Sequence, residues 1–234
     1  MTVRRIVTSR SGGVSTGPYA SFNLGAHVGD DPAAVTANRG RLAAAAGLAP
    51  DHVIWMEQIH GATVQVVDGP RAEPVEATDG LVTATPGIAV AVLVADCVPI
   101  LLADAEHGVV AAVHAGRVGA AAGVVPRAVE AFRSAGGDPA TGDVLLGPSV
   151  CGACYEVPAD MQAAVESRLP GSAVRTRKGT PGLDLRAGLA RQLDGLGFGK
   201  VVTDPRCTAE DPELYSHRRD GVTGRQAAVA WLEP

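Results

Sequence analysis

The chain has 234 residues, of which 46% are hydrophobic and 19% are charged, a balance typical of a globular protein and not of a disordered chain. Its net charge of −5 argues against a nucleic-acid partner, which requires a basic face. The most apolar stretch, 88–95, is far shorter than the about 20 residues that span a bilayer, which argues against a membrane partner. With no apolar leader and only four cysteines, we expect a reduced, cytoplasmic protein.

Strand and helix patterns alternate along the chain. Apolar runs predict strands at 3–8, 53–56, 63–67, 88–94, 99–104, 109–114, 143–146, 200–203 and 226–232. Helical patterns occupy 33–46, 120–135, 158–168 and 184–196, and the first of them begins after Asp31-Pro32 and ends at Gly47. A short turn joins 99–104 to 109–114, and the resulting antiparallel hairpin excludes a purely parallel sheet. We therefore expect one α/β domain over 1–234, with mixed sheets flanked by helices.

Three potential metal ligands, His60, Cys97 and His114, each lie near the end of a predicted strand. Because strand ends in α/β proteins converge on one ligand crevice, these side chains are expected to meet. Two imidazoles and one thiolate suit zinc, with the fourth coordination position left open. The same residues also suit a Cys–His nucleophile pair. A buried thiol and a core histidine without any function are the alternative.

Three further segments contain potential ligand-binding groups. Cys151 and Cys154 form a C-x-x-C pair, which suits zinc or thiol redox chemistry, although loop packing is the alternative. The segment 216–226 places arginines beside glycine turns, as in a phosphate or carboxylate clamp or in a solvated hairpin turn. The glycine-rich loop 9–30 permits close approach to a ligand, but it lacks the Gly-Lys-Ser/Thr ending of a P-loop.

Taken in order, these motifs resemble the laccase-domain family, whose members are also described as multicopper polyphenol oxidase-like proteins, purine nucleoside phosphorylases or peptidoglycan editing factors. The resemblance covers nearly the whole chain. It is carried by SRSGGVSTGPYASFNLG at 9–25, GDDPAAVTANRGRL at 29–42, QIHG at 58–61, ATDGLV at 77–82, ADCVPILLAD at 95–104, VHAG at 113–116, GPSVCGACYEV at 147–157, CT at 207–208 and YSHRRDGVTGRQAAVAWL at 215–232.

The resemblance implies a compact α/β fold and a zinc site formed by His60, Cys97 and His114, which would also be the catalytic residues. It implies phosphorolysis of adenosine, inosine, guanosine and methylthioadenosine, and hydrolytic deamination of adenosine. For contacts to nucleoside and phosphate we select the polar residues of the same motifs: Asn23, Gln58, Arg117, Arg218 and Arg225. The oxidase name implies copper, which the same ligands would also bind, but six histidines are too few for the several coppers of a laccase.

One motif departs from the family pattern. Family members commonly carry Trp-Arg directly after His-Ala-Gly, whereas this chain reads His114-Ala115-Gly116-Arg117. An aromatic wall against the purine is therefore lost, or stacking of Arg117 replaces it. Affinity and specificity for the purine are the properties that this change affects most.

The residues leave two other functions open. A hydrolase or amidase acting on peptidoglycan precursors would use Cys97 as nucleophile and His114 as base. A zinc-stabilised interaction module without enzymatic activity would close the metal site with a fourth ligand, Cys151 or Cys154.

Overall fold

The computed structural model describes all residues from 1 to 234. The strands are β1 (Val3–Val7), β2 (Val53–Ile54), β3 (Val64–Val66), β4 (Gly80–Thr83), β5 (Ala89–Val94), β6 (Val98–Asp104), β7 (Val109–Ala115), β8 (Asp143–Leu146), β9 (Ala173–Arg175), β10 (Pro181–Leu183), β11 (Val201–Thr203) and β12 (Gln226–Leu232). The helices are α1 (Pro32–Ala46), α2 (Arg117–Ala121), α3 (Val124–Ser134), α4 (Ala159–Glu166), α5 (Leu185–Gly195) and α6 (His217–Asp220).

Two mixed sheets form the framework, and the expected mixed α/β fold is confirmed. The first sheet has four strands in the order β1-β12-β5-β2, and the second has six in the order β11-β8-β6-β7-β4-β3. In the six-stranded sheet β6 and β7 are antiparallel, with Pro99 opposite His114, whereas β8 and β11 are parallel. The strands β9 and β10 form a separate antiparallel pair.

Successive side chains along each strand point to opposite faces of the sheet, and this divides the core into layers. In β5, Val90, Val92 and Val94 face the six-stranded sheet, whereas Ala91 and Leu93 pack on the side of α1. The outer face of the six-stranded sheet is covered by α3 and α5, which contribute the buried side chains Val125, Val129, Phe132 and Leu189. Since both sheets are covered on both faces, their central strands are almost entirely apolar, which explains the continuous apolar runs in the sequence.

Several element boundaries differ from the sequence prediction. The helix expected over 120–135 is divided into α2 and α3, because Gly123 between them has a φ of 85°, a left-handed conformation that glycine adopts without strain. The strands β4, β9 and β10 and the helix α6 were not predicted, since each has only three or four residues and depends on tertiary contacts. The start and end signals of α1 were correct. The side chain of Asp31 caps the helix by accepting the backbone N–H of Ala33, and Gly47 ends it.

None of the helices combines the length and the apolar character needed to cross a membrane.

A buried carboxylate fixes the turn between β6 and β7. Asp104 is fully buried and accepts hydrogen bonds from the backbone N–H groups of Glu106, His107 and Asp138 and from the hydroxyl of Thr141. Burial alone would raise the pKa of Asp104, but the N–H donors of Asp138 and His107 outweigh it and lower the pKa from 3.8 to about 2. The ionised carboxylate therefore stabilises this end of the sheet.

We expect Asp104→Asn to lower the free energy of unfolding at neutral pH by about 1–3 kcal/mol, because donors that paired with the carboxylate lose an acceptor. The folded-state pKa lies below that of the unfolded chain, so this stabilisation is present above about pH 4 and is lost as the pH falls through about 2. Urea denaturation of both proteins across this range measures the effect. A difference that did not shrink in acid would contradict the assignment.

Candidate metal centre and ligand cavity

His60, Cys97 and His114 meet at one end of the six-stranded sheet. Their ligand atoms all lie within 4.8 Å of one another. Cys97 directly precedes β6 and His114 lies in the neighbouring β7, so the antiparallel register places them side by side. His60 comes from the loop after β2, and its ring meets that of His114 edge to face with centroids 4.7 Å apart. A Cβ on Gly116 would lie 3.0 Å from both Cys97 Sγ and His60 Cδ2, so a glycine keeps this space open.

The buried carboxylate of Asp79 orders both histidines. Its Oδ1 accepts hydrogen bonds from His114 Nδ1 at 2.8 Å and from the His60 backbone N–H at 3.0 Å. Its Oδ2 accepts the N–H of Gly61 at 2.6 Å and that of Ile59 at 3.3 Å. Because Nδ1 of His114 donates to Asp79, Nε2 carries the lone pair that is available to a metal. Asp79 was not selected from the sequence, although it lies in the motif ATDGLV.

The three side chains favour an ionised thiol. Burial opposes ionisation of Cys97, but hydrogen bonds from His114 and His60 outweigh burial and lower the pKa of Cys97 to about 6. Burial also opposes protonation of His114, whereas its hydrogen bonds to Asp79 and Cys97 raise its pKa to about 9. At neutral pH the protein without metal therefore carries a thiolate beside an imidazolium.

The donor set fits a zinc ion. Two imidazole nitrogens and one thiolate are ligands that zinc prefers, and Asp79 supplies the carboxylate that commonly orients a metal-binding histidine. Only these three potential ligands share the cluster, so the fourth coordination position would be open to the adjoining cavity. Such an open position is typical of catalytic zinc sites, whereas structural sites have four protein ligands.

A cavity of about 340 Å³ adjoins the three ligands. This volume suits a small molecule. Of the residues that the sequence selected for ligand contacts, four line the cavity: Gln58, Arg117, Arg218 and Arg225. Four further polar side chains line it as well: His27, Asp96, Tyr155 and His217.

The arginines approach the cavity from three elements. Arg117 is the first residue of α2, and its guanidinium opposes the rise that burial causes in the pKa of Tyr155. Arg218 lies over the Tyr155 ring at 5.1 Å and donates to the Glu156 carbonyl. Arg225 donates from one nitrogen to two backbone carbonyls, and its remaining guanidinium N–H groups have no partner within the chain. The cavity therefore combines the positive charge of three arginines with the phenol ring of Tyr155.

Asn23 does not reach the cavity. It is fully buried, and its amide binds the glycine-rich loop by donating to the Gly25 carbonyl and to Asp30 and by accepting the Arg225 backbone N–H. Its role is to join this loop to the start of β12, and this corrects its selection as a ligand contact. Gln58 lines the cavity, but both ends of its amide are paired with the backbone of Leu93 at 2.8 Å.

Asp96 connects the metal ligands to the C-terminal loops. Its Oδ1 accepts the hydroxyls of Thr208 and Ser216 at 2.6 and 2.7 Å, and its Oδ2 accepts the backbone N–H of Arg218 at 2.6 Å. Since these donors occupy both oxygens, Asp96 fixes the backbone of Arg218 at the cavity that Cys97 also lines. The adjacency of Asp96 and Cys97 was the only sequence signal for this role.

The C-x-x-C pair lies apart from the three ligands. Cys151 and Cys154 belong to a separate cluster with Cys207 and Glu210, and all four cysteines are free thiols. The structure thus does not supply either residue as a fourth ligand to the first site, which was the arrangement that a closed interaction module required.

Comparison with known proteins gives a consistent family. A family model described as multi-copper polyphenol oxidoreductase laccase matches residues 4–233. A purine nucleoside phosphorylase of Mycobacterium tuberculosis is 58% identical over 99% of this chain and 92% of its own length. One of Corynebacterium glutamicum is 57% identical over 98% of this chain and 94% of its own length. The solved structure of YlmD from Geobacillus stearothermophilus superposes with a TM-score of 0.93 at 33% identity, covering 99% of this chain and 92% of that one. The solved structure of YfiH from Bacillus licheniformis superposes with a TM-score of 0.92 at 30% sequence identity. The match covers 99% of this chain and 93% of that one.

We expect Cys97 in chelator-treated protein to react with iodoacetamide at unusually low pH. Because its thiolate is the favoured form, the alkylation rate should rise with a midpoint near pH 6, whereas an ordinary thiol titrates at about 8.5. Peptide mass spectrometry after pulses of reagent at graded pH assigns the reacting cysteine, and Cys97→Ser should lack this phase. Asp79→Asn should move the midpoint upward, and an unchanged midpoint would contradict the role of Asp79.

Proposed function

The chain belongs to the multi-copper polyphenol oxidoreductase laccase family, and from this premise we propose that it is a zinc-dependent purine nucleoside phosphorylase. The observation that carries the proposal is one cavity in which His60, Cys97 and His114 lie beside several arginines and a tyrosine. The relatives that are more than half identical to this chain bear the same name.

Phosphorolysis requires two binding regions in this cavity. Phosphate attacks C1′ of the ribose, the C1′–N9 bond breaks, and the purine leaves with the electron pair and takes up a proton. The guanidinium groups of Arg218 and Arg225 suit the phosphate, because planar N–H donors match its oxygens. The ring of Tyr155 suits the purine, and Arg117 near its hydroxyl provides a hydrogen-bond donor for a ring nitrogen.

Zinc held by His60, Cys97 and His114 would supply Lewis acidity beside this cavity. The role of the chain itself is to keep the three ligands in place through Asp79 and to keep the thiol ionised. The same ligands suit copper as well. A laccase, however, needs several coppers held largely by imidazoles, and the two ligand clusters of this structure contain only two histidines, His60 and His114. We therefore favour zinc and phosphorolysis over copper and oxidation.

A second proposed activity of the same site is the deamination of adenosine. Water adds at C6 of the adenine ring, and ammonia leaves. Asp96 is next to Cys97 in the chain, but its oxygens accept hydrogen bonds from Thr208, Ser216 and Arg218, so it is not free to protonate the leaving group. His27 and His217, which line the cavity, remain as groups that could transfer this proton.

The thiolate–imidazolium pair of Cys97 and His114 also fits a cysteine hydrolase acting on cell-wall precursors. The two functions differ in their requirements. A phosphorylase needs phosphate and loses activity with its metal, whereas a cysteine hydrolase needs only water and loses activity with alkylation of the thiol.

We expect zinc-loaded protein to release hypoxanthine from inosine only when phosphate is present, with ribose 1-phosphate as the second product. His114→Ala should lower this rate on the order of 100-fold or more, because it removes a metal ligand. His107→Ala is the matched control, since His107 lies in the turn at the opposite end of β6 and β7. Release of base without phosphate, or full activity in His114→Ala, would contradict the proposal.

We expect Tyr155→Ala to raise KM for inosine and adenosine about tenfold, since stacking of a base on an aromatic ring contributes about 1–3 kcal/mol. KM for phosphate should stay within about twofold, because the ring carries no charge. Tyr155→Phe keeps the ring and should retain nearly the wild-type KM for nucleoside. Steady-state kinetics with each substrate varied in turn separates the effects, and a rise confined to KM for phosphate would place the base elsewhere.

A further inference from the structure

A second cluster of metal-binding side chains lies outside the cavity. The sulfur atoms of Cys151, Cys154 and Cys207 and a carboxylate oxygen of Glu210 all lie within 4.8 Å of one another. The three thiols are close together, yet none of them forms a disulfide. We propose that this cluster is a second zinc site, closed by four protein ligands and structural in function.

The chemistry of the four ligands selects the ion. Thiolates bind zinc strongly and are poor ligands for magnesium and calcium, which prefer oxygen. The carboxylate of Glu210 is a hard ligand that zinc accepts and that copper(I) disfavours. With four protein ligands the coordination sphere of a tetrahedral ion is complete, which is the pattern of structural sites. Arg177 is the cation that pairs with Glu210.

Backbone contacts bring the ligands together before any ion is present. The N–H of Cys151 donates to Cys207 Sγ at 3.3 Å, and a backbone bridge joins Ser149 to Cys207. The thiol of Cys151 lies 3.8 Å from Oε2 of Glu210, whereas Oε1 of Glu210 pairs with Arg177. One carboxylate oxygen thus faces the sulfurs while the other is held by an arginine, as is common around metal-binding carboxylates.

The parallel pairing of β8 and β11 explains how distant parts of the chain meet here. The loops that follow these strands leave the sheet at the same edge, and they carry Cys151-x-x-Cys154 and Cys207 respectively. Cys207 is buried, whereas Glu210 is exposed, so an ion can enter from the surface. The site would therefore fasten two loops that no disulfide joins.

Both loops also carry residues of the cavity or its supports. Tyr155, which lines the cavity, directly follows Cys154. Thr208, which donates a hydrogen bond to Asp96, directly follows Cys207. Zinc in the second site would thus hold the wall of the cavity without touching a substrate, and its loss should lower thermal stability.

The test uses the full chain with Cys97→Ser, which removes the thiolate of the first site. After treatment with chelator, this protein should bind one equivalent of zinc, and cobalt(II) in its place should give the strong near-ultraviolet absorption of thiolate-to-cobalt charge transfer. Adding Cys151→Ser should lower that absorption, and Glu210→Gln should weaken zinc binding at least about tenfold. The matched control is Glu213→Gln, which changes a nearby acidic residue outside the cluster and should leave zinc binding unchanged.

Two results would overturn the second site. One is zinc content near zero in folded Cys97→Ser protein, with three thiols that react freely with a thiol reagent. The other is unchanged zinc affinity in Glu210→Gln together with a Cys151–Cys154 disulfide in the purified protein. Because Glu210 is exposed, Glu210→Gln should fold normally even if a cysteine variant does not, and circular dichroism checks this. The readouts are metal content and absorption, so they are independent of nucleoside turnover.

Discussion

The carboxylate of Asp79 is the constraint on which the candidate metal centre depends. It is fully buried, and four donors surround it: the backbone N–H groups of Ile59, His60 and Gly61, and Nδ1 of His114. A buried carboxylate is stable only when such donors satisfy it, and hydrogen bonds to a charged acceptor are stronger than neutral ones. One side chain therefore fixes the loop that carries His60 and the ring orientation of His114.

The sheet supplies the third ligand and the connection to the cavity. Cys97 and His114 are held on neighbouring antiparallel strands, so the register of β6 and β7 sets their separation. Asp96 then accepts hydrogen bonds from the hydroxyl of Ser216 and the backbone N–H of Arg218, which fixes the C-terminal segment at the edge of the cavity. Asp79 thus orders the two histidines and Asp96 orders the loop that carries Arg218, and each carboxylate lies close to the end of a strand.

The sequence predicted the features that depend on local pattern. The apolar runs indicated most strands of the two sheets and the β6–β7 hairpin. The positions of His60, Cys97 and His114 near strand ends indicated that these side chains would meet. It did not reveal the role of Asp79, because β4 is too short to show a periodic pattern. Tyr155 was also missed, since a lone aromatic residue in a loop gives no signal of where the loop packs.

Long-range pairing explains the remaining differences. Cys207 and Glu210 lie far along the chain from the C-x-x-C pair, and only the parallel alignment of β8 and β11 places them together. Asn23 was selected as a polar residue of a motif shared with the family, yet its amide binds the glycine-rich loop itself. In both cases the residue type was informative, but its partner was determined by the fold.

Zinc-edge X-ray absorption of protein loaded with one equivalent of zinc tests the metal centre of His60, Cys97 and His114 most directly. Cys151→Ser and Cys207→Ser would be introduced so that only the first site is filled. We expect the zinc ion to have one sulfur neighbour at about 2.3 Å, two imidazole nitrogens at about 2.0 Å and one further light atom from solvent. A spectrum with no sulfur, or without the outer-shell scattering of imidazole, would contradict a centre formed by His60, Cys97 and His114.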